Sequence, residues 1–303
     1  MYRTFVILRH TFVEAIAQPI FSLLVTIGVA ILLIFALLPF FTLGEDAVMY
    51  KAVGLDVVLL LALLATLFAT SKSVYEEIED RTMLTLMSKP VRRWQVLVGK
   101  YFGLIASALL AVAIMGLILG ICLWVRIPND YQLRRVSLDP RDAEILTNWR
   151  VMHLTGLAIS LGLIWLQVSV LAAISVALST RFSLVVNLPT TIILYIAGNL
   201  TRFLFPMDAP GAPLADRPIL KGLAYVGTLL IPYLEPFDLR QYTVYRPIAL
   251  AGTQWQDAPG AVALSQIFAN AGSAAVYGVA YAAFALGIGL WLFQTRELGG
   301  AEG

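Results

Sequence analysis

Apolar and polar positions occur in long blocks along this chain. Ile20–Phe41 carries no charge. Ala52–Thr70 carries only Asp56, near its start. Tyr101–Val125, Leu154–Thr180 and Phe182–Thr201 are uncharged, the last interrupted by Asn187 and Pro189. Val262–Phe293 is uncharged and longer than one crossing needs. A span takes about 20 apolar residues, so the blocks predict six membrane helices, near 20–41, 52–70, 101–125, 154–180, 182–201 and 265–293. Gly222–Leu234 is apolar but too short to cross, and Pro232 interrupts its end. A re-entrant or interfacial element fits it, within an external loop at 202–261. Before the first block, Phe5, Leu8, Phe12, Ala15 and Ile16 recur at helical spacing among Arg3, Arg9, His10 and Glu14. That pattern predicts an amphipathic interface helix over residues 1–18, and it does not look like a cleaved signal peptide. The expected fold is an all-α integral membrane protein forming one domain, since no Pro/Gly/Ser linker divides the chain.

The polar block Ser71–Lys100 breaks this rhythm. Ten of its thirty residues are Lys, Arg, Asp or Glu, against 13% for the whole chain. Val74, Ile78, Leu84 and Leu86 suggest a helix over Val74–Met87, with Glu76, Glu77, Glu79 and Asp80 on its other positions. Pro90 ends the pattern, and Ser88 can cap a second helix beginning there. Trp94, Leu97, Val98 and Tyr101 then resume helical spacing into the third span. Arg92, Arg93 and Lys100 suit the headgroup level. Two ordered helices with a mixed-charge face are more than topology requires, so a water-facing partner surface is expected.

Composition narrows the function. The chain has 303 residues, is 59% hydrophobic and has a mean hydropathy of +0.83, which a soluble surface cannot accommodate. A net charge of +2 implies no nucleic-acid partner. Cys122 is the one cysteine, and His10 and His153 lie far apart, so neither an intrachain disulfide nor a soft-ligand metal cage is expected. Glu76–Arg81 matches the EExxxR signature of intramembrane glutamic proteases. That chemistry needs an intramembrane carboxylate and assisting histidines, whereas this motif lies in a polar loop. There is no GxxxxGK[ST] and no GxSxG, so no catalytic residue is expected and any ATP belongs on another subunit. Basic residues are dense in 71–100, with Arg3, Arg9, Arg181 and Arg296 on the same side. The opposite loops, with Lys51 alone in the first, are longer and weigh less. Both termini and 71–100 are therefore expected in the cytoplasm.

Glu76-Glu77, Thr82, Leu84, Leu86, Pro90-Val91, Arg93 and Gly99-Lys100 together resemble the hallmark of class-2 ABC transporter permeases, nearest to those grouped with multi-copper-enzyme maturation. Pro232-Tyr-Leu-Glu-Pro-Phe-Asp-Leu-Arg240 is similar to the segment those permeases carry after the fifth span. Arg81 and Arg92 depart from the hallmark, standing where the common form has glycine and serine. The resemblance implies a pair of permease chains, as two copies or with a paralogue, in a bacterial inner membrane. Each would recruit a separate ATP-binding subunit and work most plainly as an exporter, with no cofactor on this chain. It makes Glu76, Glu77, Glu79, Arg81, Thr82, Leu84, Pro90 and Arg93 the coupling contacts. Pro232, Glu235, Phe237 and Asp238 would form the external re-entrant region. The alternatives are the protease and a non-transporting assembly factor. The substrate stays open among lipids, glycans, peptides, ions and sulfur species.

Overall fold

The structure is a computed structural model and describes residues 2–38, 46–79, 92–133, 140–201, 231–250, 252–253, 256 and 259–295. Apolar blocks become helices because only a helix satisfies every backbone group within its own segment. In chain order these are α1 (Tyr2–Ala17), α2 (Pro19–Leu37), α3 (Asp46–Thr70), α4 (Arg93–Leu133), α5 (Pro140–Ser179), α6 (Leu184–Asn199) and α7 (Leu264–Gln294). Pro19 opens α2, where its missing N–H costs nothing. Asp46 sits in the first turn of α3, favourable against the helix dipole. α3 continues into a π-helical turn, Ser71–Glu76, and a short α turn, Glu77–Glu79. π turns are rare and concentrate at functional positions.

Among the described residues, five helical segments are long and apolar enough to cross a membrane: Pro19–Leu37, Asp46–Glu79, Arg93–Ile127, Ala143–Ser179 and Leu264–Gln294. The shorter α6 has 16 residues, or about 24 Å of helix, which is less than a hydrocarbon core of about 30 Å. Pro189 lies within it. Several expected boundaries shift outward. Lys51 is not in a loop but inside α3, fully buried. Much of the expected external connection 126–150 is helical, since α4 and α5 are 41 and 40 residues long. Hydropathy ends a block at the first charge, whereas a helix runs on while its backbone and neighbours support it. One departure from pure α is a two-residue parallel pairing of β1 (Ile248–Ala249) with β2 (Val262–Ala263).

α4 packs against α1, α2, α3 and α5, and α5 against α3, α6 and α7. The shared core includes Leu55, Leu67, Leu104, Met115, Leu119, Leu123 and Leu171. α1 approaches α4 closely at two glycines. A Cβ on Gly103 would lie 2.7 Å from the Leu8 carbonyl, and one on Gly99 would lie 3.1 Å from the Thr4 carbonyl. Only bare backbone fits there. The expected apolar stripe of α1 is therefore divided: Ala15 faces the bundle while Phe5 is exposed. Asn187 on α6 donates to Ser175 Oγ and Ser179 Oγ of α5, both at 2.8 Å, which is the interhelical bonding expected of a polar residue in a span.

Candidate functional site

One end of the bundle gathers α1, the 71–79 turns, the start of α4, the α5–α6 turn and the end of α7. Lys100, about two turns into α4, is its centre. Its ammonium is buried and pairs with Glu77 Oε1 at 2.7 Å. It also donates to the Ser73 carbonyl and to Ser73 Oγ, the latter at 3.1 Å. A buried ammonium demands such partners. The π turn is thereby fastened to α4. Beneath it, Val74, Ile78, Val96 and Phe293 form a small apolar cluster of their own, with Ile7 of α1 against it. Arg93 donates to the carbonyls of Phe293 at 2.7 Å and Gln294 at 3.1 Å, and its guanidinium lies 5.4 Å from the Phe293 ring centre. It thus caps the last turn of α7. Arg181 Nη2 donates to Thr295 Oγ1 at 2.6 Å, tying in the α5–α6 turn.

The sequence-derived coupling residues divide accordingly. Glu76 and Glu79 are exposed, as are Lys72, Arg92 and Trp94. Glu77 and Arg93 are engaged within the chain. Arg81, Thr82, Leu84 and Pro90 lie outside the described residues, as do Ser88 and the rest of the expected helix beyond Glu79. Lys100 is the partner of Glu77 and not a headgroup-level charge.

The other end is organised around Arg126. Its guanidinium donates to the carbonyls of Phe35 (3.0 Å), Ala36 (3.2 Å) and Leu38 (2.8 Å) at the end of α2. Asp46 lies 3.7 Å from it, and the Tyr50 ring centre 5.4 Å. Nearby, Lys51 donates to the Thr243 carbonyl at 2.6 Å, and Thr243 Oγ1 and Ser160 Oγ are 2.7 Å apart. The imidazole of buried His153 stacks on Trp149, with ring centres 5.5 Å apart. Arg240 pairs with Asp56 and, at 3.4 Å, with Asp238. Sequence reading left Asp56 without a partner, because Arg240 is 184 residues away.

Residues 231–239 pack inward from this end. The Leu234 amide donates to the Gly198 carbonyl at the end of α6, 3.2 Å away. The Tyr233 amide donates to Tyr277 Oη at 2.7 Å. Pro232, Leu234 and Phe237 are buried, and Phe237 faces Gly278, midway along α7. Glu235 accepts from Tyr233 Oη at 2.8 Å, and Asp238 is exposed. Of the expected re-entrant run, 222–230 lies outside the described residues; the inward-packed piece is the Pro232–Asp238 motif itself. Among the described residues no His, Cys, Asp and Glu cluster could hold a metal.

Long apolar helices with charge confined to their ends and pinned there define a multi-pass membrane protein. The chain matches the family described as ABC-2 family transporter protein over residues 57–298 and belongs to it, as a permease of the ABC transporter class. No curated protein matches the chain significantly.

Proposed function

We propose that this chain is the membrane-spanning subunit of an ABC exporter, driven by a separate ATP-binding subunit that docks on the 71–100 segment. The observation that carries this reading is the fastening of the π turn to α4 by Lys100, beneath an exposed face of Glu76, Glu79, Lys72, Arg92 and Trp94. Such a face can be gripped from water, and its rigid attachment passes displacement into α4, the helix that α1, α2, α3 and α5 all touch. Coupling requires a contiguous packed route of this kind. The remaining parts come from the resemblance. Two permease chains pair in a bacterial inner membrane with their termini in the cytoplasm. α1 lies in the inner interface, α6 forms a sixth, shallow crossing, and 222–234 is the re-entrant element on the outer side. ATP is hydrolysed on the partner, and the permease itself carries neither cofactor nor catalytic group. Kinship with multi-copper-enzyme maturation permeases is part of this reading. Nothing in the geometry favours the protease, since Glu76 is exposed to water and Glu77 is held by Lys100.

The test uses Glu76→Lys/Glu79→Lys, which leaves the Glu77–Lys100 pair intact. The double variant is expected to insert and melt as wild type but to lose co-purification with its ATP-binding subunit, or to lose transport-coupled ATPase activity. Wild-type coupling in the double variant would overturn the docking assignment. Orientation is checked in a Cys122→Ala background. Glu79→Cys should resist an impermeant thiol reagent in intact cells and Tyr245→Cys, exposed at the other end, should react; the reverse pattern inverts the topology.

A further inference from the structure

An open apolar groove of about 520 Å³ runs between α4 and α5. Gly116, Gly120 and Trp124 line it from α4, and Leu157 and Leu161 from α5. It exists because the two glycines leave α4 without side chains there, while Leu117 and Ile121 beside them stand exposed to the surroundings. From Ala113 to Val125 the lining covers about 18 Å of helix, close to the depth of one leaflet of a core about 30 Å thick.

The groove's Trp124 end carries a charge with unused capacity. Arg150 of α5 places its guanidinium carbon 4.4 Å from the Trp124 ring centre. Its Nε is buried and has no hydrogen-bond partner. Among the described residues Arg150 makes no ion pair, in contrast to Arg126 and Arg240, which both have carboxylates. A guanidinium whose buried Nε has no partner favours an anion, and its planar fork suits a phosphate best. Tryptophan at the groove's end is the residue type that marks the headgroup level.

We propose that the groove binds one acyl chain of an anionic phospholipid, with the phosphodiester held by Arg150 above Trp124. The chain chemistry fits the apolar walls, the headgroup fits a guanidinium without an ion pair among the described residues, and the bilayer supplies both at high concentration. This inference depends only on membrane insertion and stands apart from the transporter reading.

The test is native mass spectrometry of the full chain in neutral-detergent micelles containing equal phosphatidylglycerol and phosphatidylcholine with the same acyl chains. One phosphatidylglycerol should be retained about fivefold over phosphatidylcholine, the gain expected of one basic side chain at an anionic headgroup. Arg150→Gln should abolish that preference and Arg150→Lys should keep most of it. Gly120→Phe should remove the tightly held lipid of either headgroup without lowering the melting temperature. A Cβ there meets only Leu157 at 3.5 Å and Leu154 at 3.7 Å, both ordinary contacts. No phosphatidylglycerol preference in the wild type, an unchanged preference in Arg150→Gln, or full retention in Gly120→Phe would each overturn the proposal. A chain dimer that Gly120→Phe dissociates, with no lipid retained, would assign the groove to a second copy instead.

Discussion

Two arginines of one helix, Arg93 and Arg126, perform the same act at opposite ends of the bundle with different access to water. Arg126 is buried, bonds three carbonyls at the end of α2 and has Asp46 beside it. Arg93 is half-buried, bonds two carbonyls at the end of α7 and lies against one ring. Each supplies donors to carbonyls that a helix end leaves orphaned. The difference lies in solvent access. Water can replace Arg93 at its carbonyls at small cost, but it cannot readily reach those held by Arg126. One end of the molecule is locked, and the other is held by contacts that can be exchanged.

The comparison is broken most severely by Arg126→Ala. Removing one member of a buried charged network takes the guanidinium away from Asp46 and from three carbonyls, at a cost of about 3 kcal/mol. The expected outcome is a large loss of thermal stability in detergent, only partly recovered by Arg126→Lys, whose single ammonium cannot bridge three carbonyls. Next in size is Lys100→Met, which removes the ammonium from Glu77 and from the Ser73 carbonyl and should cost about 2 kcal/mol. The readout is faster proteolysis or hydrogen exchange across 71–79. Combining it with Glu77→Gln should cost clearly less than the two single changes added together, because neither side is then left with a stranded charge. Additive costs would mean that the pair is not coupled. Smallest is Arg93→Gln, expected at about 1 kcal/mol or less for a partly solvated cap. Hydrogen exchange should quicken in the last turn of α7 and nowhere else. A loss at Arg93 as large as that at Arg126 would remove the asymmetry altogether.

Much of this molecule was legible as blocks. The long apolar runs become helices because hydrocarbon leaves the backbone no alternative, and the break between α3 and α4 falls where charge concentrates. The helix ends were less legible. Lys51 reads as a loop residue by composition, yet a long side chain can reach the Thr243 carbonyl from inside a helix. The roles of Arg93 and Arg126 were hidden because their partners are backbone carbonyls, and a carbonyl has no letter in a sequence. Lys100 stood in a recognisable Gly-Lys pair, but its burial depends on Glu77 and Ser73, which return to it only through the turn of α3. Asp56 and Arg240 were each visible and were not connected, since nothing local links residues so distant. Asn187, a lone amide in an apolar run, takes the interhelical partners common for such a residue.

The captivity of Lys100 and Arg126 has a consequence for the lipid around them. The uncharged stretch between them, 101–125, is about 37 Å long as a helix, against a core of about 30 Å. A stretch longer than the core is accommodated by tilt, by kinking or by thickening of the bilayer, whereas snorkelling side chains relieve only one that is too short. Lys100 and Arg126, held to Glu77 and to α2, mark the two ends of this stretch. Taken up by tilt alone, the mismatch corresponds to about 35°. α4 is therefore expected to lean further in a thin bilayer than in a thick one.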